Sequence, residues 1–185
     1  MHNQKTKRLT LAALFAALTA LMAQMVLPLW FTPVPFSLAI VAVFLTGAVL
    51  DWKTALLAQG CYLLLGLAGV PVFSYFGAGP AKLVGPTGGY LLAYPLMAAA
   101  TAWLTARWGR GFLRMLGAMA AGLLICYTCG TLQLMALTGS GLWEALGLAV
   151  IPFAPFDLLK AALSSLLAVA LHRALRRARL VVWSL

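Results

Sequence analysis

Polar and apolar positions along this chain do not alternate; they come in blocks. No charged side chain occurs from Leu9 to Leu50, and further uncharged runs cover Thr54 to Ala81, Leu83 to Ala106 and Met115 to Trp143. Each run is long enough to cross about 30 Å of hydrocarbon at about 1.5 Å of helical rise per residue. Prolines, glycines and isolated charges divide them into six predicted helices at 9–27, 36–50, 54–69, 88–106, 115–137 and 155–171. The expectation is an all-α integral membrane protein, one membrane domain over 1–185 built as a bundle of six transmembrane helices. The opening admits a rival reading, because Lys5, Lys7 and Arg8 precede an alanine-rich apolar stretch as they would in a secretory signal peptide. That apolar run exceeds the about 7 to 15 residues of a signal core, and more spans follow.

Three segments interrupt the pattern. PLWFTPVPF at 28–36 holds three prolines, and GVPVFSYFGAGPAKLVGPTGG, ending at Gly89, holds three prolines and six glycines. Neither can be uninterrupted helix. The third, TGSGLWEALGLAVIPFAPF at 138–156, opens on two glycines and closes on two prolines. Irregular backbone at membrane depth is tolerated only where protein buries it or a cavity meets it. These segments therefore read as a lid or pocket wall, with interfacial anchoring of their aromatics as the plainer alternative.

Composition and charge sharpen this picture. With 64% hydrophobic and 9% charged residues, against about a quarter charged in ordinary soluble domains, a water-soluble fold is excluded. The net charge of +10 is a topology signal rather than a nucleic-acid footprint. The six-helix count puts Lys5, Lys7, Arg8, Lys53, Arg107, Arg110, Arg114, Arg173, Arg176, Arg177 and Arg179 on one side and Lys82 on the other. By the positive-inside rule both termini are then cytoplasmic, and the three irregular segments are extracellular.

The chemistry sits at one place. Asp157 and Lys160, at i, i+3 in PFDLLKAAL, share a helix face near the outer end of the last span. One such charge at a helix centre costs about 2.5–3.5 kcal/mol, so ionisable residues in spans pair and face protein or a watery cavity. A mutual salt bridge is one account of the pair. The other is capture of a small molecule with N–H donors for the aspartate and an anionic or carbonyl group for the lysine. Asp157 could also cap the helix start after Pro152 and Pro155. GPTGGY at 85–90 offers glycines that let backbone approach a ligand, although Thr87 would equally cap the fourth span. Ala12, Ala16 and Ala20 recur every fourth residue, a spacing that lets another helix come close.

Other chemistries find little support. Cys126 and Cys129 form C-x-x-C, but no second pair or nearby histidine completes a zinc site, and small packed residues are the simpler account of Cys61, Cys126 and Cys129. No G-x-x-x-x-G-K-[ST] occurs, so the chain carries no ATPase of its own, and HExxH and GxSxG are missing too. An enzyme is not expected.

AALFAALTA in the first span, PVPF after it, LLGLAGVPVF at 64–73, GPTGGYL at 85–91 and PFDLLKAAL at 155–163 together resemble the BioY family, the biotin-specific S-components of energy-coupling factor transporters. The resemblance covers nearly the whole chain. It implies a six-helix bundle in the bacterial plasma membrane, with an outward-facing cavity closed by loops. Biotin is then the transported ligand, no cofactor is needed, and a membrane coupling T-component with two cytoplasmic ABC-type ATPases supplies the energy. Carried over, Asp157 and Lys160 contact the ligand, Phe73 ends GVPVF, and Gly85, Pro86, Thr87, Gly88, Gly89, Tyr90 and Leu91 lie beside the pocket. Ser74, Tyr75 and Lys82 join them as substrate contacts, and Ala12, Ala16 and Ala20 meet the coupling subunit. This chain departs from the pattern after PVPF, reading Ser37, Leu38, Ala39 where many relatives have threonine, leucine, glutamine. Two alternatives accompany this reading: an S-component for thiamine or riboflavin, and a membrane sensor or assembly protein that transports nothing.

Overall fold

The computed structural model describes residues 2–177; Arg179 and the side chains of Arg176 and Arg177 lie outside the described residues. Its helices are α1 (His2–Ala23), α2 (Ala39–Val49), α3 (Trp52–Leu67), α4 (Pro80–Leu83), α5 (Gly88–Trp108), α6 (Phe112–Thr138), α7 (Leu142–Ala149) and α8 (Ala154–Arg177). Two short strands, β1 (Val26–Leu27) and β2 (Phe36–Ser37), pair antiparallel. The six longest helices coincide with the six apolar stretches, while α4 and α7 fall inside segments expected to be irregular. Among the described residues three helices are long and apolar enough to cross a membrane: Gln4–Ala23, Phe112–Thr138 and Ala154–Ala174.

Two predicted boundaries need correction. The first helix stops at Ala23 and the second starts at Ala39, because the residues between them form a hairpin. Pro28, Pro33 and Pro35 cannot donate to a helix, and the residue before each is pushed to extended backbone. The consequence is a short α2: its 11 residues span about 16 Å at 1.5 Å per residue, roughly half the hydrocarbon depth. Above its first residue the bundle has room for something other than helix.

Elsewhere local chemistry sets the joints. Asp51 caps α3, its carboxylate accepting from the Lys53 and Thr54 amides, each at 3.1 Å. Gly139 ends α6 in the left-handed region, φ 68°. The central helix is α5, packed against α2, α3 and α6. Close approach depends on glycine: a Cβ at Gly89 would strike the Cys129 carbonyl, and one at Gly47 would strike Thr101. A polar knot ties α1, α2 and α3, with Gln59 Nε2 donating to Thr19 Oγ1 at 3.0 Å and Thr46 Oγ1 at 2.9 Å. Such bonds hold helices together where lipid removes the hydrophobic incentive to associate.

Candidate ligand pocket

The hairpin, the loop from Ala68 to Thr87, α7 and the start of α8 gather at one end of the bundle, and each is pinned by a specific bond. Gln24, just past α1, donates through Nε2 to the Val72 and Phe73 carbonyls, each at 3.2 Å, and accepts from the Phe76 amide at 2.9 Å. Gln133 on α6 donates to the Leu83 carbonyl at 2.7 Å and the Gly85 carbonyl at 2.9 Å. Thr32 in the hairpin donates to the Leu148 carbonyl of α7 at 2.8 Å. The loop between the two glutamines is tightly folded, with Tyr75 and Phe76 both at positive φ, 61° and 52°. Both are uncommon for residues with side chains.

These elements surround a pocket of about 720 Å³, part of it open to solvent. Its walls come from the hairpin (Val34, Pro35, Ser37), α2 (Ile40), the long loop (Phe73, Ser74, Lys82, Thr87), α5 (Tyr90, Leu91, Tyr94), α6 (Cys126, Tyr127), the α7–α8 turn (Ala149, Phe153) and α8 (Asp157, Lys160). Aromatic and aliphatic groups dominate, with a few polar atoms converging on one side.

Asp157 and Lys160 lie on that side, 6% and 7% exposed. They bridge each other at 2.9 Å. Lys160 also donates to the Ser37 carbonyl at 2.8 Å, and its ammonium sits 3.6 Å from the centroid of the Phe36 ring. With three protons and three partners, the lysine is fully occupied. Asp157 is not. Its other oxygen accepts from the Tyr127 hydroxyl at 2.7 Å, which leaves about two of roughly four acceptor positions open. The carboxylate is taken up by these side chains and not by amides at the start of α8, so it does not act as a helix cap. The second cation on the pocket wall is Lys82, 6.0 Å from the Tyr75 ring centroid.

The BioY family model matches residues 1–177. The chain belongs to the BioY family. A probable biotin transporter BioY of Pyrococcus horikoshii is 39% identical over 91% of this chain and 98% of its own length. The biotin transporter BioY of Thermotoga maritima is 37% identical, covering 90% and 96%. A crystal structure of the S-component for biotin from an ECF-type ABC transporter superposes with a TM-score of 0.87 at 25% identity, over 94% of each chain.

Within this BioY chain the structure brings Asp157, Lys160, Phe73, Ser74, Lys82, Thr87 and Tyr90 to the pocket. Tyr75, Gly85, Pro86, Gly88 and Gly89 are not among the lining residues. Tyr75 is half exposed on the outer side of its turn. Gly88 and Gly89 are buried against Leu83 and α6, where a Cβ would strike the Leu83 and Cys129 carbonyls; they place α5 rather than touch the cavity. Thr87 makes no side-chain cap bond and turns to the pocket instead. On α1, Ala12 and Ala16 are 1% and 2% exposed and, with Ala20, line an apolar groove between α1 and α3 that reaches Val72 and Phe76.

Val34, Pro35, Ala149 and Phe153 fall in segments read from the sequence as a lid or pocket wall and Leu91 in the motif read as lying beside the pocket, whereas sequence reasoning missed Ser37, Ile40, Tyr94, Cys126 and Tyr127 as lining. The missed tyrosines carried a usable signal, since Tyr94 and Tyr127 put hydroxyls inside apolar spans, where buried Tyr normally has a partner. Cys126, read as a packing residue, is buried and also borders the cavity.

Proposed function

We propose that this chain is the substrate-capturing subunit of a biotin uptake transporter. The observation that carries the reading is a loop-covered pocket with Asp157 on its wall, buried and with acceptor capacity to spare, in a chain whose relatives are biotin transporters. Biotin suits such a pocket. Its cyclic urea can direct one N–H to an open position of Asp157, its sulfur-containing ring and alkyl chain are apolar, and its carboxylate is attracted by Lys82. Lys160 fixes the position of the Asp157 carboxylate through their 2.9 Å ion pair.

In the membrane the chain forms one domain of six spanning helices. Both termini and the arginine-rich end are cytoplasmic, and the pocket faces the outside of a bacterial plasma membrane. Support comes from the charge distribution. The end holding Arg8, Lys53, Arg107, Arg110 and Arg114 is opposite the end holding the pocket and Lys82. Energy comes from partners, a membrane coupling T-component and two cytoplasmic ATPases. The α1 groove containing Ala12, Ala16 and Ala20 meets the coupling component.

Equilibrium titration of the purified chain in lipid nanodiscs with biotin, thiamine and riboflavin tests the substrate. Submicromolar binding of biotin alone is the expected result; tight thiamine or riboflavin binding without biotin overturns it. Uptake of labelled biotin by an auxotrophic host should need the ATPase partners.

A further inference from the structure

Two glycines outside the lining set hold the aromatic wall in place. Gly130 is an interior position of α6, where glycine costs about 1 kcal/mol against alanine, and Gly66 lies in the last turn of α3. Each faces the ring of a pocket residue. A Cβ at Gly66 would lie within the tip of the Phe73 ring, and a Cβ at Gly130 within the hydroxyl-bearing edge of Tyr90. Phe73 and Tyr90 thus sit in notches cut into neighbouring helices.

The rings have nowhere to retreat. Phe73 is 1% exposed and meets Tyr62 edge-on, centroids 5.5 Å apart; Tyr62 in turn stacks on Tyr94 at 6.4 Å. Tyr90 spans from its notch to α7, where its hydroxyl donates to the Ala149 carbonyl at 3.3 Å. Interiors of this kind are close-packed. The open volume next to either ring is the pocket itself.

The geometry points to Gly66 and Gly130 as specificity-determining positions that set the width of the pocket, recessing Phe73 and Tyr90 far enough to admit a fused bicyclic ligand. This rests on the biotin reading above. A methyl at either position drives a ring into the cavity and narrows it. The slimmer monocyclic desthio analogue of biotin, which lacks the bridging sulfur, then loses less than biotin does.

The test measures Kd for biotin and its desthio analogue with Gly66→Ala, Gly130→Ala, and the doubles Gly66→Ala/Phe73→Leu and Gly130→Ala/Tyr90→Leu. Gly60→Ala is the control on α3, since a Cβ there meets nothing within 4 Å. Ligand-free thermal unfolding is recorded for all. Overpacking a tight site should raise the biotin Kd of each single variant about tenfold. The biotin-to-desthio preference should shift toward the slimmer ligand, each double should recover part of the loss, and Gly60→Ala should bind as the parent does. Unchanged biotin affinity in the single variants, equal weakening for both ligands, or no recovery in the doubles overturns the proposal. If a single variant does not fold, its double decides: a folded double with the parent preference overturns, and one shifted toward the slimmer ligand supports. Should the parent chain bind thiamine or riboflavin and not biotin, the functional reading fails, and the notches are judged by the same loss and recovery with that ligand.

Discussion

At the residue scale, the Asp157–Lys160 pair illustrates how two opposite charges are accommodated inside an apolar bundle. Removing two ions from water is expensive, and the pair tolerates it through short range and complete satisfaction of the lysine. Lys160→Ala removes the cation bonded to the buried Asp157 carboxylate and should cost about 3–5 kcal/mol of stability. Asp157→Asn keeps the shape, strips the charge that Lys160 compensates, and weakens a ligand N–H bond. Biotin affinity should fall at least about tenfold, or ~1.4 kcal/mol. Tyr127→Phe deletes one donor to the carboxylate and should cost about 1.5–3 kcal/mol of stability, less than Lys160→Ala. Calorimetric titration and thermal unfolding of the three variants check that order. Normal biotin binding in both Asp157→Asn and Lys160→Ala would return the pair to a purely structural role.

At the element scale, the long loop from Ala68 to Thr87 is ordered by side chains outside it. Gln24 satisfies two of its carbonyls and one of its amides, and Gln133 satisfies two more carbonyls. The first clamp holds Phe73 and Ser74, and Lys82 lies between the two. Each bond contributes about 1 kcal/mol net, so Gln24→Ala should leave the helices intact and loosen the loop. Amide exchange at residues 72–77 should accelerate and biotin should dissociate faster; Gln133→Ala should do the same near Gly85. Unaltered exchange in both variants would show that the turn around Tyr75 and Phe76 holds itself.

At the scale of the whole molecule, the two ends of the bundle differ in kind. One carries short connections and arginines. The other carries the hairpin, the clamped loop and α7 around the pocket, with Trp30 97% exposed at the hairpin tip and Trp143 81% exposed on α7. Single cysteines at Trp30 and Gly141 should react with a membrane-impermeant thiol reagent applied outside cells, and one at Gly109 should react only after permeabilisation. Labelling of Gly109 from outside would invert the topology and close the pocket to the extracellular solution.

The helices were legible in the sequence because lipid imposes a strong, local rule: backbone must bond within its own segment, so long uncharged runs bounded by proline, glycine and charge become helices. The i, i+3 spacing of Asp157 and Lys160 likewise put them on one face without knowledge of any neighbour. The hairpin was not legible, since PLWFTPVPF announces a break but not that Val26 and Leu27 pair with Phe36 and Ser37. Nor were the Tyr127 bond to Asp157, the glutamine clamps or the glycine notches, each of which joins residues at least seven positions apart through the packing of separate elements. Sequence determined which segments are helical and where the buried charges lie along them; tertiary structure alone decided what encloses the cavity, because that depends on distances between elements that no local pattern encodes.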